Sequence, residues 1–141
     1  AALELGRRRR LEDAFEHKKI TSSKAVFEIM QPIIGELMHE EFWVLYLNNA
    51  NKVIHKAQLS KGGMTGTIVD VRVVFKIAFE QNATSIVLTH NHPSGKLYAS
   101  ESDKKLTEKI KMAGRQLDVI VLDHIIIAET GYYSFQDDGI F

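Results

Sequence analysis

His90 and His92, with Ser100 and Asp103 downstream, are the residues whose types and spacing suit metal chemistry. The apolar, β-branched run Thr84-Ser85-Ile86-Val87-Leu88-Thr89 reads as a buried strand leading into them. Residues two apart on a strand point to the same side, so both imidazoles leave the strand end converging. Pro93-Ser94-Gly95 forces a turn, and Asp103 returns in the first turn of the following helix. Two imidazoles and one carboxylate are the protein ligand set of a catalytic zinc, with the fourth position left to water. Water held in this way becomes a nucleophile at neutral pH. The same residues also have a purely structural reading. Ser100-x-x-Asp103 fits a variant of the helix capping box, with the serine accepting from the backbone and the aspartate near the positive helix end. The readings are compatible, because a capping serine sets where Asp103 points.

The elements that must position these residues alternate between helix and strand. Thr21-Ser22-Ser23 caps a helix running to about Met30, and Pro32 either breaks it or starts a second helix to about His39. A strand over 42–47, the turn Asn48-Asn49-Ala50-Asn51 and a strand over 52–59 form a hairpin. Gly62, Gly63 and Gly66 lie in a loop with no following Gly-Lys-Ser/Thr, so a phosphate loop is not supported. Beyond Asp70, the residues Val71, Val74, Phe75, Ala78 and Phe79 sit at helical spacing and lead to the Thr84 strand. The helix after the motif carries Leu106, Ile110 and Ala113 on one face and ends near Gly114. One or two strands over 117–128 and a short one over 132–135 complete a central sheet flanked by helices.

Composition bounds the chemistry. A chain of 141 residues buries one core without staples. It has no cysteine, so its six histidines and its carboxylates are the strong zinc ligands. A formal net charge of +0 argues against a strongly basic nucleic-acid domain, and Glu4, Glu12, Asp13 and Glu16 offset the run Arg7-Arg8-Arg9-Arg10. No apolar run approaches the length of a membrane span and the N-terminus is charged, so the cytoplasm is the expected compartment.

The pattern His-x-His, seven residues, then Ser-x-x-Asp resembles the JAMM motif of MPN/JAB metallopeptidases. The strings His90-Asn91-His92-Pro93-Ser94-Gly95, Leu122-Asp123-His124-Ile125-Ile126-Ile127 and Tyr133-Ser134-Phe135 are similar to the bacterial RadC group of that superfamily, and the likeness covers about 23–141. It implies the cytidine-deaminase-like α/β fold of MPN/JAB domains, a mixed, curved sheet flanked by helices. It also implies a domain over 21–141, with 1–20 a helix or linker remaining from an upstream helix-hairpin-helix domain. Zn2+ is the implied cofactor, on His90, His92 and Asp103.

The family's general base is a glutamate before the first core strand. Aligning Glu40-Glu41-Phe42-Trp43-Val44-Leu45 through Phe42 and Leu45 puts it at Glu40, with Glu41 the adjacent alternative. The matching serine, Ser100, supports the charge that develops on the substrate carbonyl. RadC-like chains often carry proline before this serine, whereas here it is Ala99, which makes the loop less rigid. His124 is either a partner of a metal ligand or a buried, hydrogen-bonded core histidine. His17, His39 and His55 read as surface residues, and Trp43, Tyr132, Tyr133 and Phe135 as core or interface aromatics.

The implied function is a zinc-dependent hydrolase, a metallopeptidase or isopeptidase cutting an amide bond in a peptide or isopeptide substrate. Two alternatives remain: a non-catalytic module in DNA repair or replication, as the family's name suggests, and a hydrolase acting on nucleic acid. The complete ligand set disfavours the first, and the absent net positive charge makes a nucleic-acid partner unexpected for the isolated domain. Oligomeric state is not legible.

Overall fold

The computed structural model describes residues 18–61 and 68–141. The Arg7–Arg10 run, His17 and the glycine loop lie outside the described residues. Three helices flank a five-stranded mixed sheet among these residues. The elements are α1 (Ser23–Ile34), β1 (Glu41–Leu47), β2 (Val53–Lys61), α2 (Val71–Glu80), β3 (Ser85–Asn91), α3 (Glu101–Gln116), β4 (Ile120–Ile127) and β5 (Tyr132–Ser134). The sheet order is β2-β1-β3-β4-β5. β1 pairs antiparallel with both β2 and β3, β3 and β4 are parallel through the α3 crossover, and β5 returns antiparallel to β4. Register shifts in β1/β2 and β3/β4 mark bulges, which bend and twist a sheet.

Strand periodicity splits the core between the two faces. Leu45, Leu47, Val87, Ile125 and Ile127 meet Val26, Ile29, Met30 and Ile34 of α1. Phe42, Val44, Tyr46, Ile86 and Leu88 meet α2 and α3 through Val74, Phe75, Ala78 and Ile110. β3 lies between neighbours on both sides and is buried along its whole length, as its continuous apolar run requires.

One local expectation is corrected and another refined. Pro32 neither ends α1 nor starts a second helix; α1 runs through it to Ile34, and 35–40 is turn and bend. Proline deprives only one carbonyl of its helical partner, that of Glu28, an exposed residue that water can reach. α3 does end near Gly114, at Gln116, but the glycine is not its cap. The stop comes at Asp118, with φ +57°, where the Val119 N–H reaches back to the Gly114 carbonyl at 2.9 Å. Gly114 is required for close approach instead, since a Cβ there would lie 2.4 Å from the Val119 carbonyl oxygen. At the start of the described chain, Val53 N–H donates to Lys18 O and Ile20 N–H to Asn51 O, so 18–20 is tied to the hairpin.

Candidate metal centre

β3 delivers the two histidines. Ile86, Leu88 and His90 alternate onto the α2/α3 face. One residue past the strand, His92 is held by its own N–H on Ile127 O at 3.0 Å. Its Nδ1–H donates to Lys96 O at 2.8 Å, because a carbonyl can only accept. That leaves the Nε2 of neutral His92 as a lone pair directed inward. The third group arrives on α3. Ser100 is the N-cap: its Oγ accepts from Asp103 N–H at 3.1 Å, and the Asp103 carboxylate accepts from Ser100 N–H at 2.9 Å. The capping box therefore forms, and it fixes the carboxylate as the structural reading required.

The three side chains converge. His90 Nε2 lies 3.2 Å from Asp103 Oδ1, His92 Nε2 lies 3.4 Å from Asp103 Oδ2, and the two Nε2 atoms are 2.9 Å apart. One ligand atom from each residue fits within 4.8 Å of the others, so the group could hold a metal ion. Imidazole nitrogen and carboxylate oxygen suit zinc and similar divalent ions. Electrostatics point the same way. Burial pushes the Asp103 carboxyl up, but the adjoining His90 and His92 rings and the Ser100 N–H overcome it and hold the group far below the ordinary carboxylate range. Burial lowers His92, but Asp103, Lys96 O and Glu40 together leave it above its ordinary value. Both shifts describe an acceptor-rich cluster that favours a positive charge at its centre.

Glu40 is brought to the same cluster by sheet register. Phe42 pairs with His90 across antiparallel strands. Carried just past the two strand ends, the same register brings Glu40 toward His92. Glu40, His92, Ser100 and Asp103 line one cavity of about 430 Å³, whose other walls include Phe42, Val69, Tyr98 and Leu106. Glu41 points away. Its carboxylate accepts from Trp43 Nε1–H at 3.0 Å and meets His39 Nε2 at 2.6 Å. His39 is thus not simply a solvated surface residue, whereas His55 packs at 5.9 Å from the Tyr46 ring.

Two positions were not singled out from sequence. Asn91, between the histidines, points to the opposite face and is 1% exposed. Its Oδ1 accepts from Glu41 N–H at 2.7 Å and its Nδ2 donates to His39 O at 2.8 Å, gripping the peptides on both sides of Glu40. An amide directly between the two histidines, at the end of a buried strand, was the available signal. Thr107, one helical turn beyond Asp103, reaches His124, whose other ring nitrogen reaches His90. His124 is therefore both of its expected alternatives, a fully buried histidine and a partner of His90. Desolvation, then the nearby His90, pushes it well below its ordinary value. Among the aromatics, Phe135 is buried and stacks on His124, and Tyr132 packs on Phe27.

The RadC-like JAB domain profile matches residues 20–140. The chain belongs to this family. The chain is 70% identical over all its 141 residues to a "UPF0758 protein" of Flavobacterium johnsoniae, covering 62% of that protein. It is 39% identical to a "UPF0758 protein" of Porphyromonas gingivalis, with 99% of this chain and 62% of that protein aligned. A third, from Chlorobaculum parvum, is 36% identical over 140 residues, with 99% of this chain and 63% of the relative aligned. The chain thus spans less than two thirds of the length of these relatives. No helix among the described residues is long and apolar enough to cross a membrane.

Proposed function

We propose that this RadC-like domain is a zinc-dependent hydrolase, a metallopeptidase or isopeptidase that cuts an amide bond in a peptide or isopeptide substrate. The observation that carries the reading is the convergence of His90, His92 and Asp103 in a cavity that Glu40 and Ser100 also line. Zinc bound to the three side chains would act as a Lewis acid and lower the pKa of a water molecule toward neutrality. Glu40, beside His92, accepts the proton from the attacking water and returns it to the leaving amine. Ser100 Oγ takes the Asp103 N–H with a lone pair and meets Ser102 Oγ at 3.1 Å; with Ser102 as the donor of that contact, the Ser100 hydroxyl proton serves oxygen charge developing on the substrate carbonyl. Phe42, Val69 and Leu106 give the cavity an apolar wall that limits water around the reacting groups.

Metal analysis tests the assignment. The purified chain should carry about one zinc per molecule. His92→Ala should abolish stoichiometric zinc at neutral pH, and full retention of metal by that variant would reject the ligand set. A screen of peptide and isopeptide substrates against the zinc-loaded chain then tests the reaction.

A further inference from the structure

Hydrogen-bond direction through the buried groups behind His90 is determined by a single starting point. Thr107 Oγ1 lies 2.7 Å from the Asp103 carbonyl oxygen, which can only accept. The one hydroxyl proton therefore goes to that carbonyl. The other contact of Oγ1, with His124 Nδ1 at 2.5 Å, must have the imidazole N–H as donor. His124 Nε2 lies 2.7 Å from His90 Nδ1. A second proton on His124 would bury a full charge in a residue with 0% exposure, neither of whose ring nitrogens meets a carboxylate. Nε2 is thus an acceptor, and His90 Nδ1–H is the donor. His90 Nε2 is left bare, facing Asp103 Oδ1 at 3.2 Å and His92 Nε2 at 2.9 Å.

We infer that Thr107 and His124 form a relay that locks His90 in the tautomer whose Nε2 lone pair faces the metal centre, which makes Thr107 a positioning residue for that centre. The inference rests on the metal-ligand role given to His90 above. Thr107 stands one helical turn beyond Asp103, so the relay ends on the backbone of another ligand and refers both ligands to one frame. The far side of His124 is held as firmly. Phe135 stacks on the ring with centroids 4.6 Å apart and planes at 16°. Phe135 is placed in turn by Asp123, which accepts from Ser134 Oγ at 2.5 Å and Gln136 N–H at 3.0 Å. The strings Leu122-Asp123-His124 and Tyr133-Ser134-Phe135, which touch no ligand atom of the site except through His124, thereby acquire a physical role.

The test needs no substrate. Imidazole ¹⁵N spectra of the metal-free wild-type chain, taken well above the imidazole titration range, should show His90 and His124 both protonated on Nδ1. Zinc affinity, measured against a competing chelator, should fall about tenfold to a hundredfold in Thr107→Val. Thr107→Ser keeps the hydroxyl and should restore binding, which a merely structural role of the threonine would not predict. A His90 protonated on Nε2 in the wild-type spectrum overturns the relay, as does wild-type zinc affinity in a folded Thr107→Val chain. If Thr107→Val does not fold, the wild-type spectrum alone decides. A wild-type chain that takes up no zinc at all refutes the metal reading instead, and the tautomers of the metal-free chain still report on the relay.

Discussion

Two adjacent glutamates differ here by their surroundings. Glu41 accepts from the indole of Trp43, which packs against the α1 cluster, and meets the His39 ring. Glu40 lines the cavity beside His92. Glu40→Gln keeps the size of the side chain but cannot take a proton. It should leave zinc content unchanged and cut turnover on a peptide-type substrate by ~10²-fold or more. Glu41→Gln retains an acceptor for Trp43 and should stay active. Zinc analysis and turnover on both variants check the assignment. A dead Glu41→Gln with an active Glu40→Gln would move the base by one residue, and two active variants would remove the proposed mechanism.

At the scale of elements, the β3 strand does two jobs with alternate side chains. His90 faces His92 and Asp103, while Asn91 faces away and holds the segment that carries Glu40. Asn91→Asp keeps an acceptor for Glu41 N–H but loses the donor to His39 O. It should retain zinc and lower turnover. Introduced into Glu40→Gln, the same change should cost almost nothing further, because coupled residues are not additive. Equal losses in the two backgrounds would show that Asn91 does not act through Glu40. The α3–β4 turn carries a separate test of packing. A methyl group at Gly114 would meet the Val119 carbonyl at 2.4 Å, and backbone cannot yield as a flexible side chain would. Gly114→Ala should therefore lower stability by about 1–3 kcal/mol in urea denaturation. An unchanged midpoint would mean that the turn relaxes freely.

At the scale of the whole molecule, 18 basic and 18 acidic residues balance. Without a net positive charge, counterion release supplies little affinity for duplex DNA. This chain should bind duplex DNA weakly and without sequence preference, as a salt titration by fluorescence anisotropy would show. Tight binding at physiological salt, lost on neutralising Arg7 to Arg10, would overturn that expectation. The sequence by itself determined what is periodic or local. The apolar run of β3 required a buried strand, the pleat put His90 and His92 on one side, and Ser100-x-x-Asp103 specified its own capping box. Local signals were ambiguous where two physical causes share one residue type. A glycine near a helix end serves a left-handed cap or a close approach, and at Gly114 it is the approach. A proline late in a helix ends it only where the freed carbonyl cannot be satisfied, and at Pro32 the helix continues. Other features depended on which strands became neighbours. Glu40 reaches His92 because β1 and β3 pair with Phe42 opposite His90. His124 reaches His90 because β4 lies beside β3 in parallel, with His124 level with Leu88. Thr107 reaches His124 because α3 crosses over that pair. Such contacts follow from sheet order and register, which bring distant segments together and leave no periodic trace in the chain.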